Sequence, residues 1–288
     1  MSQPPPPGLG NAPAPAPAPA AGALVAAEWD QTCPGCARAE EAAGLVYAIG
    51  AVRPQFPSLG VEREFDQLAG EETAARPQID LVCDLLERPE NEYLAHQMCW
   101  VFATAGGDEF GVAPAATVPV GSLVAAARRD QISFVAGYGR PGGCLGPDAV
   151  EVTPVQLLTF TPEEFRANLL RAIAPEPGEH DERIVADLFD RVRNRAQNQG
   201  ATPGNRAINY LALRAPAIYQ LVADQAAAGA ALVAIDTQHR HSASRNVVDV
   251  RFVFRSRRAD LVSQYAARVD VTEVFPFLVA PLRQTFDG

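Results

Sequence analysis

The sequence has no lysine; all 24 of its basic residues are arginine. That absence removes Schiff-base chemistry on a lysine amine, the phosphate-gripping lysine of a P-loop and any Ser-Lys dyad. Long apolar runs are missing too. The longest charge-free apolar stretches, such as residues 226–235, fall far short of the roughly 20 residues that span a bilayer, so no membrane segment is expected. Basic excess is also lacking. A formal charge of -10 and a pI near 4.9 argue against non-specific contact with nucleic acid or anionic membrane, both of which need a basic face. No export signal is evident, because the N-terminus has no basic segment and prolines interrupt what would be its apolar core. A cytoplasmic protein is the expectation. In that compartment the five cysteines read as thiols or metal ligands rather than disulfides.

What is present divides the chain into a tail and a folded part. Residues 1–28 are mostly proline and alanine, a composition that favours a disordered, extended tether. The remainder reads as α+β, with two packed subdomains at 29–174 and 179–288 separated by Pro175-Glu176-Pro177-Gly178. Each is expected to be a mainly antiparallel sheet with helices on one face. In the first, strand-like runs occupy 45–50, 93–104, 109–112, 132–136 and 155–160, with helices at 58–68, 79–86 and 123–128. Thr161-Pro162-Glu163-Glu164 is a capping box that opens a helix reaching residue 173. In the second, Ile184, Leu188 and Val192 recur at helical spacing, two shorter helices follow, and strands starting at 231, 247 and 261 form an antiparallel meander. Val250, Phe252 and Phe254 alternate with Arg251, Val253 and Arg255, which predicts one buried and one wetter sheet face.

Few motifs carry chemistry. Gly137-Tyr138-Gly139-Arg140-Pro141-Gly142 fits a dinucleotide fingerprint in letters, but Pro141 and the glycines after it continue a loop where a helix is required. His239, His241 and nearby Asp236 are better read as a solvated hairpin end than as a metal site. Cysteine is the stronger signal. Cys33-Pro34-Gly35-Cys36 is a knuckle able to place two thiolates on one ion, and Cys144 sits among glycines that permit close approach. A structural zinc held by Cys33, Cys36, Cys99 and Cys144 is the expectation, with free thiols as the alternative; Cys83 belongs to an apolar helical face.

Several segments together resemble a known family. Val46-Tyr47-Ala48-Ile49-Gly50, Phe56-Pro57-Ser58-Leu59-Gly60-Val61-Glu62, Asn91-Glu92-Tyr93-Leu94, Gln97-Met98-Cys99-Trp100-Val101, Asn209-Tyr210-Leu211-Ala212 and Pro216-Ala217-Ile218-Tyr219 look like the C-terminal domain of the cyanobactin maturation proteases, the PatG type. Val269-Asp270-Val271-Thr272-Glu273-Val274-Phe275-Pro276-Phe277-Leu278-Val279 is the most specific piece. In that family the domain follows a subtilisin-like module and has no assigned function. No histidine or serine block of such a protease occurs here, so the domain reads as free-standing.

The resemblance implies a non-catalytic accessory or scaffold protein of a ribosomal peptide pathway, with a precursor peptide or a pathway enzyme as partner. Arg251, Arg255, Arg257 and Arg258 crowd one hairpin of an acidic chain and form the candidate peptide-binding patch. The alternative is an uncharacterised thiol- or metal-dependent enzyme using Cys99, Cys144, Asp270 or Glu273. Around Pro276, Thr272 or Asp270 is expected to cap a turn, with Phe275 and Phe277 anchored in the core.

Overall fold

Strand β1 (Gly44–Gln55) decides how the two halves meet, because its side chains alternate between two cores. Val46, Ala48 and Val52 point into the first, while Tyr47 and Ile49 point at the second half of the chain. The computed structural model describes residues 44–70, 78–173, 178–195, 198–242, 245–256 and 261–285. The Pro/Ala tail, Cys33, Cys36, residues 175–177 of the expected boundary, and Arg257 and Arg258 lie outside them. The described residues all belong to one compact unit, Glu41–Gly288.

The first sheet closes on itself. β1, β2 (Cys99–Thr104), β3 (Glu109–Val112), β4 (Ile132–Pro141) and β5 (Val150–Phe160) form a barrel in the order β1-β2-β3-β5-β4, antiparallel except for the β3–β5 pair. Closure removes the open edges that a flat sheet would present. Helices α1 (Leu59–Ala69), α2 (Gln78–Leu86), α3 (Glu92–Gln97) and α4 (Val120–Ala126) bury Phe65, Leu81, Leu85, Leu94 and Leu123 against barrel residues Trp100, Phe102 and Phe110. Ser58 caps α1 by accepting from the Val61 N–H. Residues 93–97, expected as strand, are helical: Leu94, Ala95 and Gln97, after Glu92, favour helix, and the β-forming run starts only at Cys99. Gly137 and Gly139, the fingerprint-like glycines, lie on β4, where a Cβ on Gly137 would stand 2.3 Å from the Thr153 carbonyl.

Four helices form the next layer: α5 (Pro162–Ile173), α6 (Glu179–Arg193), α7 (Pro203–Arg214) and α8 (Pro216–Ala227). The capping box at α5 forms as expected, with Glu164 N–H donating to Thr161 Oγ1 at 3.1 Å and Thr161 N–H to Glu164 Oε2 at 3.0 Å. The helices cover one face of an antiparallel sheet, β6 (Ala230–Ser242), β7 (Arg245–Ser256), β8 (Val262–Asp270) and β9 (Phe277–Thr285), in sequential order. Val248, Val250, Phe252 and Phe254 of β7 face the helices with Leu188, Ile208, Leu211 and Tyr219. The meander therefore gains a fourth strand. Pro281 within β9 fits its place, since proline enters sheets mainly at edges. No helix among the described residues is long and apolar enough to cross a membrane.

The connection from β8 to β9 holds the family-like motif. Asp270 accepts from the Thr272 N–H at 2.9 Å and its hydroxyl at 2.6 Å, which is the expected cap, and Thr272 Oγ1 in turn accepts from the Asn246 N–H at 2.8 Å. Buried Arg206 of α7 donates to the carbonyls of Val271 (2.6 Å), Glu273 and Val274 (3.4 Å). Burial pushes the Arg206 guanidinium down to about 10, so it stays charged at neutral pH. The phenylalanines are not the anchors. Phe275 and Phe277 are 45% and 43% exposed, and the buried side chains of the turn are Val271 and Val274. Phe277 instead lies under the Arg245 guanidinium, 5.7 Å from its ring centre.

This arrangement fixes an order of costs. Arg206→Met leaves the carbonyls of Val271, Glu273 and Val274 without their donor, the first and last of them buried, and is expected to lower unfolding free energy by about 3 kcal/mol or more, whereas Phe277→Ala should cost about 1 kcal/mol. Denaturant unfolding of the two variants checks the order; a Phe277→Ala loss equal to that of Arg206→Met would contradict it.

Candidate functional site

The helix-free face of the β6–β9 sheet is where charge collects. Strand alternation puts Asp249, Arg251, Val253 and Arg255 of β7 on that face, and the ladder sets Gln238 beside Asp249, Asp236 beside Arg251, and Arg268 on the other flank of Asp249. Arg240 of β6 and Arg283 of β9 complete it. A pocket of about 240 Å³ is lined by these four arginines, 240, 251, 268 and 283, with Asp249, Gln264 and small residues of β8 and β9 at its floor.

Asp249 organises the site. It is 6% exposed and receives a two-pronged contact from Arg268, Nε to Oδ1 at 2.6 Å and Nη2 to Oδ2 at 3.2 Å, and a second from Arg240 Nε at 2.5 Å. Burial works to raise its pKa, but the hydrogen bonds and charges of Arg268 and Arg240 outweigh that and hold the carboxyl below its ordinary value. Arg251 donates to the Gln238 side-chain oxygen. Arg283 has no ion-pair partner among the described residues. One carboxylate within the pocket cannot neutralise four guanidinium groups, so the pocket keeps a positive excess on a chain whose formal charge is -10. Its chemistry suits carboxylates or other anions.

The residues expected from sequence distribute unevenly. Arg251 and Arg255 both lie on this face, Arg251 in the pocket and Arg255 exposed toward the strand end. Arg240, Arg268 and Arg283 were not anticipated, because they come from three other strands that only the sheet register sets around Asp249; the alternation of β8 around Arg268 was the available signal. His239 and Asp236 fall on opposite faces of β6, and no cluster of three or more metal-ligating side chains occurs among the described residues.

The cysteines are a correction. Cys99, at the start of β2, and Cys144, in the β4–β5 loop, form a disulfide with Cα atoms 5.5 Å apart. Their sulfurs are joined to each other, so in this state they have no thiolates to give a zinc ion, and the expectation of free thiols fails for the pair. The proposed partners Cys33 and Cys36 lie outside the described residues. Cys83 is a buried core thiol, as expected, pushed up to about 11 by burial. Asp270 and Glu273, the other residues considered for catalysis, serve the turn: Asp270, 1% exposed, has Arg245 at an ion-pair distance of 2.9 Å, and Glu273 offers its carbonyl to Arg206.

Two outcomes are expected. Digestion at arginine of unreduced protein should release the segments bearing Cys99 and Cys144 as one linked species that separates on reduction, and losing the link should cost about 2–4 kcal/mol. Because the folded pKa of Asp249 lies below its ordinary 3.8, its contribution is fully present above that value and disappears as pH falls through the folded pKa. Asp249→Asn should therefore be less stable than the parent by about 1–3 kcal/mol at neutral pH, the gap closing in acid unfolding series.

Comparison with known proteins follows the fold. A family model described as PatG C-terminal matches residues 176–285. A solved structure, the PatG domain of unknown function, superposes with a TM-score of 0.64 at 17% identity, covering 84% of this chain and 98% of that one. At that identity the likeness speaks for fold alone, and it reaches well beyond the segment the family model matches. No curated protein matches the chain. Residues 176–285 are thus similar to the PatG C-terminal family, and the chain shares its fold with the PatG domain of unknown function.

Proposed function

We propose that this protein is an accessory binding module of a cyanobactin-like ribosomal peptide pathway, and that the arginine face of its second sheet holds an acidic stretch of polypeptide. The PatG-type domain, which is associated with cyanobactin pathways, supports the pathway. One observation carries the binding role: Arg240, Arg251, Arg268 and Arg283 converge on a pocket that holds a single carboxylate. The acidic segment belongs either to the precursor peptide or to a partner enzyme of the pathway, since both present the same chemistry to guanidinium groups.

A catalytic role draws no comparable support. Cys99 and Cys144 are engaged with each other, Asp270 caps a turn, and Glu273 supplies a backbone acceptor. Arginine contacts at a partly exposed face contribute modestly one by one, but they act together and fade with salt.

Purified full-length protein titrated with the precursor peptide and with the pathway's enzymes provides the test. Arg251→Glu with Arg283→Glu touches no core residue and should leave unfolding within about 0.5 kcal/mol of the parent, while binding to the acidic partner drops by about tenfold or more. Binding unaffected by this pair, or insensitive to salt, would refute the arginine-face reading.

A further inference from the structure

Strand β9 is the rim of the second sheet. It pairs with β8 on one side and, among the described residues, with no strand on the other. Edge strands expose a row of backbone donors and acceptors, and proteins usually blunt them with charge, proline or a bulge. Here the blunting is partial. Pro281 and the register shifts opposite Arg268 interrupt the ladder, yet Phe277, Leu278 and Val279 stand 40–45% exposed at the strand's start.

The rim and the arginine pocket are continuous. The ladder places Phe277, Ala280, Arg283 and Thr285 on the arginine face, with Ala280, Arg283 and Thr285 forming one wall of the pocket. Leu278 pairs with Val269 and so belongs to the opposite face, the one the helices cover, and Leu282 packs against that helix-side core. The edge is therefore two-sided, basic on one face and apolar on the other.

We propose that β9 is a docking edge that receives an extended acidic polypeptide as a fifth strand, its acidic side chains on the arginine face alternating with apolar ones on the other. This rests on the acidic-polypeptide reading above and adds to it the binding mode and the sequence pattern recognised. An added strand lies about 4.8 Å from β9, and its successive side chains point to opposite faces. Every second one then lies on the arginine face, along the row Phe277, Ala280, Arg283 and Thr285, with Arg268 one strand further in beside Ala280; those between lie on the side of Leu278 and Leu282. Backbone hydrogen bonds give affinity in this mode, and the alternating side chains give selectivity.

A second copy of the chain is a poorer occupant. Edge-to-edge pairing of two β9 strands brings two arginine faces side by side, and Phe277–Thr285 offers no carboxylate to offset them. It also places a proline in each strand of the new ladder. An acidic strand from another protein meets neither obstacle.

The test uses the full-length protein and a labelled nine-residue peptide of alternating glutamate and valine, with binding read by fluorescence anisotropy. Two further peptides carry N-methyl groups on alternate residues, one set on each register, and a fourth replaces glutamate by lysine. In strand addition only one register turns its N–H groups toward β9, so one N-methylated peptide should bind about tenfold or more weakly while the other stays within about twofold. The lysine peptide should fail to bind. If both N-methylated peptides bind like the parent, or both weaken alike, strand addition is overturned while the arginine-face reading stands. No binding by the glutamate peptide, or equal binding by the lysine peptide, overturns both. Concentration-dependent self-association of the protein that this peptide does not disrupt would point to the second copy and also overturn the proposal.

Discussion

Everything in the second half hangs on satisfying a short piece of unpaired β1. Strand β2 pairs with β1 only from Gly50 onward, so on that side the backbone at Tyr47 has no strand partner. Buried backbone groups in that state are costly unless something else meets them. The chain before and within α7 does so: Tyr47 N–H donates to the Gly200 carbonyl at 2.8 Å, and the Tyr47 carbonyl accepts from Asn209 Nδ2 at 2.9 Å. Asn198 Nδ2 donates to Asn209 Oδ1 at 2.7 Å and to the Val192 carbonyl at 3.1 Å, which fixes the amide orientation and ties it to the end of α6. Gly200, at a φ of 70°, is there because a Cβ would stand 2.4 Å from the Tyr47 oxygen. From this point α7 is aimed so that Arg206 meets the carbonyls after β8, and the barrel, the helices and the second sheet become one body.

This constraint explains which parts of the sequence were informative. Tyr47 and Asn209, both in the family-like segments, belong to the buried lock; Asp270 and Thr272 make the turn that Arg206 clamps. The resemblance is thus carried by residues that assemble the fold, which is why the likeness was legible and function was not. Local chemistry was equally readable. The capping box of α5, the amphipathic face of α6 and the buried alternation of β7 are set by neighbours within a few residues. Nonlocal facts were hidden. Closure of the first sheet needs the parallel β3–β5 pair, and the Cys99–Cys144 disulfide joins residues 45 apart. Strand β9 escaped notice because Pro276 and Pro281 bracket half of it, and Pro276 suggested buried phenylalanines where the chain runs along an edge.

The candidate site shows a similar division between what organises and what remains available. Asp249 is nearly buried and takes a two-pronged contact from Arg268, so its geometry is fixed by the sheet on three adjoining strands. Fixing Arg240 and Arg268 in this way lowers the entropy that guanidinium groups lose on meeting an anion. Arg283 and Arg251 stand around that fixed centre. An anion arriving at the pocket meets donors already held in place, in contrast to arginines on a mobile surface.

The location of the arginines is itself an argument for a ligand. The inner face of the sheet is committed to the helices through Val248, Val250, Phe252 and Phe254, so the outer face is free of any packing duty. Solubility alone would be served there by acidic residues, of which the chain has 34 against 24 arginines, or by mixed charge. Four guanidinium groups around one carboxylate instead produce local self-repulsion, which costs stability unless a counter-charge arrives. The net charge of -10 on the chain as a whole raises the contrast. Placed against a rim whose backbone has no strand partner among the described residues, that contrast selects for an anionic segment and for one approach to it: along β9, with its backbone extended.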